Sequence, residues 1–147
     1  MIVVSACLLG LKCRWDGQSY QPEKQLMHSP DMIPVCPEQL GGLPTPREPA
    51  QIIDGNGFDV LNNQARVINA AGIDVTYEFI RGARAVLRIA RQYNVDHAIL
   101  KERSPSCAVH QLYQGKTLVA GMGVTCALLF REGFAVLSSE EINKLHA

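Results

Sequence analysis

The stretch Ile2-Val-Val-Ser-Ala6, which leads directly into Cys7, decides the fold that the sequence predicts. It is short, β-branched and uninterrupted, as is typical of a strand buried on both faces of a parallel sheet. Met32-Ile-Pro-Val35 is a second candidate strand, although Pro34 lacks an N–H group and is unusual in a central strand. His97-Ala-Ile-Leu100 is a third candidate.

Residues 74–93 show the helical period most clearly. The apolar residues that recur at helical spacing are Phe79, Ala83, Val86, Leu87 and Ala90. Asp74 or Thr76 is placed to cap the start of this helix, and Asn94 is placed to end it. Farther along, the predicted elements are a helix over 124–131, a strand over 134–137 and a final helix capped by Ser138 or Ser139.

Strands that alternate with helices predict an α/β fold. We expect one compact three-layer domain over residues 1–147, with a small, mostly parallel, Rossmann-like sheet. Residues 37–72 are rich in Gly, Pro, Asn and Asp, and they predict a long structured loop with one hairpin around Val60 to Val67. A loop of this length inside a compact domain is usually functional.

The overall composition narrows the class of protein. The chain has 147 residues, with 14 Lys plus Arg against 14 Asp plus Glu, and this balance gives no electrostatic basis for DNA binding. No apolar run approaches the roughly 20 residues of a membrane helix. The six residues before Cys7 are too few for a signal peptide. The sequence therefore predicts a cytoplasmic protein with no membrane partner.

The cysteines indicate a metal or catalytic role. Five cysteines are an odd number for a disulfide framework, and cytoplasmic thiols stay reduced. Cys7 and Cys36 directly follow two predicted strands, and Cys107 lies in the loop after the third. The carboxyl ends of parallel strands meet at one edge of a sheet, where ligands bind in such folds. Three thiolates there suit an iron–sulfur cluster or zinc with one open position, and the alternative is that they are ordinary buried residues.

The other two cysteines have different interpretations. Cys13 is a candidate fourth ligand or redox partner. Cys126 lies inside a predicted helix, where packing in the core is the better interpretation. The spacing Cys107-x-x-His110 is half of a zinc motif and favours zinc only weakly.

Seven motifs, in order along nearly the whole chain, resemble the thiouracil desulfidase (TudS-like) family. They are Ser5-Ala-Cys-Leu-Leu-Gly10, Cys13-Arg-Trp-Asp-Gly17, Pro34-Val-Cys-Pro-Glu38, Gly41-Gly-Leu-Pro-Thr-Pro-Arg47, Asp59-Val-Leu61, Lys101-Glu-Arg-Ser-Pro-Ser-Cys107 and Gly123-Val-Thr125. The resemblance implies a compact α/β domain with a 4Fe-4S cluster on three cysteines, which correspond to Cys7, Cys36 and Cys107. It also implies that the open fourth iron binds the sulfur of 2- or 4-thiouracil, in a non-redox desulfuration to uracil and hydrosulfide. The family usually has glycine after its last cysteine, where this chain has Ala108, so the resemblance supports the cluster ligands but does not extend to the substrate rim.

Desulfuration needs a thiophilic Lewis acid, a water nucleophile and a group that manages protons. Glu38, two residues after Cys36, is the predicted general base, and Glu48 is its rival. Ser104 is predicted to orient the water or to protonate the ring, and an ordinary turn serine is the alternative.

The substrate is predicted to lie beside the cluster. The residues predicted to bind the pyrimidine are Thr45, Arg47, Gly42 and Ser106. Lys101 and Arg14 add positive charge near the anionic ligands, and Trp15 and Tyr20 are candidates to stack on the base. Each of these four residues also has an ordinary interpretation, as a solvated cation or as rim packing.

A row of arginines raises the question of RNA. Arg81, Arg84, Arg88 and Arg91 share one face of the predicted helix, which either contacts the phosphates of a thiolated tRNA or is simply solvated. On a neutral protein we expect a small-molecule thiolated pyrimidine as the partner, ahead of tRNA.

The leading hypothesis is therefore a cluster-dependent thiouracil desulfidase. The alternatives are an iron–sulfur redox sensor or sulfur carrier without turnover, and a zinc-stabilised domain.

Overall fold

The computed structural model describes residues 1–26 and 31–146, and it alternates strands with helices. The elements are β1 (Ile2–Ser5), β2 (Met32–Val35), α1 (Pro37–Leu40), β3 (Ala50–Ile53), α2 (Gly57–Leu61), β4 (Arg66–Asn69), α3 (Thr76–Gln92), β5 (His97–Leu100), β6 (Gln111–Gln114), β7 (Thr117–Ala120), α4 (Val124–Arg131) and β8 (Ala135–Ser138). Two 3-10 helices, Ala6–Leu9 and Ser139–His146, follow β1 and β8. The predicted final helix is thus of the 3-10 type.

The central sheet has four parallel strands in the order β2-β1-β5-β8. This arrangement confirms the predicted α/β fold with a parallel sheet. Pro34 is tolerated because β2 is an edge strand and pairs with β1 only on one side, so that the missing N–H group costs no ladder hydrogen bond in the interior of the sheet.

Both faces of the sheet are buried, and the alternation of side chains along the strands divides the core in two. Val3 and Leu100 belong to the larger core, which also contains the apolar faces of α3 and α4. Val4 and Ile99 face the opposite way and pack with Leu8 and Ile142, which lie in the two 3-10 helices, and with Leu26. Apolar residues of β1 and β5 therefore point to both faces of the sheet, as the first stretch of sequence predicted.

Residues 37–72 are more regular than predicted. They contain α1, β3, α2 and β4, and β3 and β4 pair in antiparallel fashion. The predicted hairpin around Val60 to Val67 is wrong, because Val60 lies in α2 and only Val67 lies in a strand. A capping box between Asn56 and Asp59 starts α2. This helix was not predicted, because the segment is rich in residues that favour turns. The β6–β7 hairpin was not predicted.

The predicted capping residues of helix α3 are confirmed at its end but only in part at its start. Thr76 is inside the helix and its hydroxyl accepts the N–H of Val67 at 2.7 Å, while Asp74 accepts the N–H of Thr76 at 2.9 Å. The N-cap is Val75, whose side chain cannot cap. Asn94 has φ 55°, the left-handed conformation expected of a residue that ends a helix. Among the helices in the described part of the chain, none is long and apolar enough to cross a membrane.

Candidate functional site

The carboxyl ends of three neighbouring strands meet around one cavity of about 650 Å³. Cys7 lies in the 3-10 helix after β1, Cys36 directly follows β2, and Cys107 lies in the turn after β5. All three cysteines line the cavity, and so does Cys13. Cys126 is fully buried in α4 and packs in the core, as expected. The parallel topology therefore brings together thiols that are far apart in the sequence.

The thiols influence one another. The thiol of Cys13 is in hydrogen-bond contact with those of Cys36 and Cys7. The bond with Cys36 lowers the pKa of Cys13, but the bond with Cys7 and burial outweigh it and raise this pKa to about 11. The contact with Cys13, followed by burial, also raises the pKa of Cys36. The contact between Cys13 and Cys36 therefore acts in opposite directions on the pKa values of the two thiols.

Cys107 occupies the deepest position. Burial raises the pKa of its thiol to about 12, although hydrogen bonds with the hydroxyls of Ser5 and Ser106 act in the opposite direction. The Ser106 hydroxyl lies 3.6 Å from the sulfur of Cys107. Two hydroxyl donors beside a thiol are suited to a thiolate, the form in which cysteine binds metals.

Helix α1 positions Cys36 and Glu38. Cys36 is its N-cap and Pro37 is its first residue, a position at which proline is favoured. The helix packs closely on α3, where a Cβ atom added at Gly82 would lie 1.9 Å from the carbonyl oxygen of Pro37. Glycine at position 82 therefore allows the backbone of α1 to lie close to α3. This close packing holds Cys36 and Glu38 at the cavity.

A buried carboxylate holds the loop that carries Cys107, and no sequence pattern predicted its role. Glu102 is 3% exposed, and its Oε1 accepts N–H groups at 3.3, 3.1, 2.9 and 3.0 Å. The four donors are Arg103, Val109, His110 and Gln111. Burial favours a higher pKa for Glu102, but the bonds with Ser138 and with the backbone lower it overall. A glutamate next to Lys101 in a polar loop gives no signal of this role in the sequence.

Glu38 and the two predicted serines form a connected set. The Ser106 hydroxyl donates to Oε2 of Glu38 at 3.3 Å, and the Oγ atoms of Ser104 and Ser106 are 3.0 Å apart. Ser104 also accepts the N–H groups of Ser106 and Cys107, both at 3.2 Å. All three residues line the cavity. A proton can therefore pass between the carboxylate and Ser104 through one hydroxyl.

Arg47 lines the cavity but is engaged by the protein itself. Its Nε lies 3.4 Å from the carboxylate of Glu38, and its Nη2 donates to the carbonyl of Cys13 at 2.9 Å. Its Nη1 donates to Thr45 Oγ1 and to the Pro44 carbonyl. The side chain is 5% exposed. The geometry thus favours a positioning role for Arg47, and its predicted contact with substrate stays a prediction.

Other predicted residues divide between the cavity and its surroundings. The residues outside its lining are Thr45, Gly42 and Glu48. The residues within its lining are Arg14, Trp15, Tyr20 and Lys101. The guanidinium of Arg14 lies 4.1 Å from the centroid of the Tyr20 ring, and Nζ of Lys101 lies 5.1 Å from it. Tyr20 and Trp15 remain partly exposed at the rim.

Two further features lie outside the cavity. The arginines of α3 face solvent, and Arg91 pairs with Glu132. The ring of His110 bonds to Glu141 at 2.6 Å. Among the described residues, no group of three or more His, Cys, Asp or Glu side chains is arranged to hold a metal ion. A zinc site on Cys107 and His110 therefore receives no support from the structure.

The donor set fits an iron–sulfur cluster better than a single ion. A 4Fe-4S cluster distributes its cysteine ligands over separate irons, so the sulfurs need not converge on one point. The four cavity thiols are soft donors of the kind such clusters take, and hydroxyl groups adjoin the deepest one. The residues present are compatible with the cluster that the motifs implied.

The fold and the site define a class: an α/β protein with a thiol-lined cavity, a carboxylate and two serines at the carboxyl edge of a parallel sheet. The family model for 2-thiouracil desulfurase matches residues 2–141. The chain belongs to this family, which confirms the assignment drawn from the motifs.

Two similar proteins extend this finding. The uncharacterized protein YbbK of Bacillus subtilis (strain 168) is 44% identical over 150 residues, which cover 99% of this chain and 99% of that protein. A solved structure described as a [4Fe-4S]-dependent thiouracil desulfidase, TudS, is 39% identical, with a TM-score of 0.86. The match covers 99% of this chain and 94% of that one. The family and this structure support an enzyme.

Proposed function

We propose that this protein removes sulfur from a thiolated pyrimidine at a 4Fe-4S cluster held by Cys7, Cys36 and Cys107. The substrate is 2- or 4-thiouracil or a related nucleobase or nucleoside, and the products are the oxygenated base and hydrosulfide. The observation that carries the proposal is the single cavity that these three thiols share with Glu38 and Ser106. Family membership and the similarity to TudS support the choice of cofactor and substrate class.

The protein contributes the ligands and their surroundings. When bound, the cluster supplies an iron without a protein ligand, which acts as a Lewis acid toward the sulfur of the substrate. Ser5 and Ser106 stabilise the thiolate of Cys107 through their hydroxyls. Glu102 fixes the loop on which Cys107 is carried, so that this ligand needs no rearrangement on binding.

Glu38 and Ser104 manage the protons. Glu38 takes a proton from water as the water oxygen adds to the carbon that bears sulfur. Ser104 donates a proton to the ring nitrogen, and the hydroxyl of Ser106 connects it with the carboxylate. The base reacts as its thiolate, in which one ring nitrogen carries no proton, and this nitrogen takes up the first water proton. The second proton, from the hydroxyl group left on the carbon, goes to the sulfur as the carbon–sulfur bond breaks, and the sulfur leaves as hydrosulfide. Arg47 orients Glu38 for this task.

Anaerobic reconstitution tests the cofactor first. Cys7→Ser should take up little iron and labile sulfide, because one of three ligands is lost. Cys126→Ser is the matched control, since that thiol is buried in the core, and it should load like the parent protein. Colourless protein with bound zinc and no labile sulfide would contradict the cluster.

Incubation of the loaded protein with 4-thiouracil then tests the reaction. We expect release of hydrosulfide together with uracil, and no change in the redox state of the cluster. A fully loaded protein that releases no hydrosulfide from 2-thiouracil, 4-thiouracil or their nucleosides would favour a redox sensor or sulfur carrier instead.

A further inference from the structure

Cys13 is a cavity thiol that the proposed reaction does not use. Its sulfur is in hydrogen-bond contact with two of the proposed ligands, Cys7 and Cys36, and the residue is 6% exposed. The sulfur of Cys36 also lies 3.7 Å from the carbonyl oxygen of Cys13. The thiol of Cys13 is therefore a direct neighbour of the thiol of Cys36.

The segment that carries Cys13 is held in place. Nη2 of Arg47 donates to the Cys13 carbonyl at 2.9 Å, and the backbone N–H of Arg47 donates to the carbonyl of Trp15 at 2.6 Å. On the other side, Cys36 is fixed at the start of α1. The two sulfurs thus meet as part of the folded structure, and a bond between them needs no unfolding.

A second cavity, of about 450 Å³, is lined by the same two residues. Cys13 and Cys36 line both this cavity and the larger one, while Lys12, Leu40 and Ile89 line only the second. The pair therefore borders two cavities through which a small oxidant can approach.

We propose that Cys13 and Cys36 form a reversible disulfide in the cluster-free protein. With a peroxide as oxidant, the more exposed thiol, Cys36, is converted to a sulfenic acid and one water is released. The Cys13 thiol then condenses with it, and a sulfur–sulfur bond forms as a second water leaves. Two thiols are oxidised and one peroxide is reduced, and a dithiol reductant restores both thiols.

The disulfide between Cys13 and Cys36 protects Cys36 from irreversible oxidation. A cysteine that has lost its metal and meets peroxide without a partner proceeds to sulfinic acid, which ordinary thiols do not reverse. Capture by Cys13 stops Cys36 at a reversible stage and blocks cluster assembly until the disulfide is reduced. The protective meaning rests on the proposed role of Cys36 as a ligand.

The test uses cluster-free protein kept in dilute hydrogen peroxide for hours, alkylated and digested with trypsin. Cleavage after Lys12 separates Cys7 from Cys13, and Cys36 falls in the peptide of residues 25–47. We expect a peptide that joins Cys13 to Cys36 and lacks two hydrogen atoms. After reduction with dithiothreitol, iron uptake on anaerobic reconstitution should return to nearly the untreated level.

Two cysteine variants test whether Cys13 protects Cys36 from further oxidation. In Cys13→Ser, Cys36 should gain two oxygen atoms, and iron uptake after the same treatment should fall severalfold, whereas Cys126→Ser should behave as the parent. Free Cys13 in the oxidised parent, or a link from Cys13 to Cys7, would overturn the proposal. If untreated protein takes up no iron, the proposed cluster is rejected and not the disulfide. The disulfide is tested separately, by the peptide masses of the cluster-free protein.

Discussion

At the scale of single residues, the site depends on a few polar contacts between cavity side chains. Glu38 lies between a cation and a hydroxyl, with Arg47 at 3.4 Å and Ser106 at 3.3 Å. Its carboxylate is thereby directed along the cavity wall and connected with Ser104. Glu48, the rival base, is exposed and outside the cavity lining, so the geometry favours Glu38.

Substitution of Glu38 separates catalysis from cofactor binding. Glu38→Gln should keep its iron and labile sulfide, because no thiol ligand is removed, yet lose about 10²–10⁴-fold in hydrosulfide release, the contribution of a general base. The control is Glu48→Gln, which should release hydrosulfide at the parent rate. Normal turnover in Glu38→Gln with loss in Glu48→Gln would reverse the assignment.

Glu102 gives a prediction about pH. Its folded pKa lies below its ordinary value of 4.5, so the stability it contributes is present above that value and is lost as the pH falls through the folded pKa. The free energy of unfolding of the parent should therefore fall on acidification more steeply than that of Glu102→Gln. Urea denaturation from neutral to acidic pH measures this difference, and parallel curves would contradict it.

At the scale of secondary structure elements, the contact of α1 with α3 positions half of the site. Cys36 and Glu38 are both at the start of a helix of only four residues, Pro37–Leu40, which cannot be stable alone. Its backbone lies against α3 at Gly82, and Gly41 makes the reciprocal approach to the Glu78 carbonyl. The geometry of the site therefore depends on two glycines that bear no chemistry.

Gly82→Ala tests this dependence. The added methyl would lie 1.9 Å from the Pro37 carbonyl oxygen, so α1 must shift. We expect a loss of about 1–3 kcal/mol in the free energy of unfolding, despite a gain of about 1 kcal/mol in helix propensity, and weaker retention of iron. Denaturation and iron analysis measure the two effects. Arg84→Ala, on the exposed face of the same helix, should change stability by less than about 0.5 kcal/mol; an equal loss there would refute the packing argument.

At the scale of the whole molecule, a cluster would connect three segments that are distant in the sequence. Cys7, Cys36 and Cys107 follow three different strands, so ligation closes two long loops through one cofactor. A group that binds only the folded state stabilises it by mass action. Cofactor loading and folding are thus expected to be coupled.

The coupling predicts a shift in thermal stability. Under anaerobic conditions the loaded protein should unfold about 5–10 °C above the cluster-free protein, a shift of the size expected for a tightly bound ligand on a domain of this length. Circular dichroism on both forms measures it. Cys7→Ser, treated identically, should show no such shift, and equal melting temperatures for the two forms of the parent would contradict the coupling of cofactor binding to folding.

The sequence by itself determined the parallel α/β fold and the family. Unbroken β-branched stretches, as in β1, require a strand buried on both faces, and the periodic apolar residues of α3 require a helix packed on one side. Both signals are local, so they can be read without coordinates. The motifs around Cys7, Cys36 and Cys107 are also local, and they were sufficient for the family.

Only the tertiary structure decided which side chains meet. Three contacts depend on how the backbone packs. They are the contact of Cys13 with Cys36, the ion pair of Arg47 with Glu38, and the hydrogen bonds from four N–H groups to Glu102. The same is true of α2, where a capping box overrides a turn-rich composition. Local propensity fixes where a strand or helix forms, whereas the neighbours of a side chain at the cavity are fixed by how those elements pack.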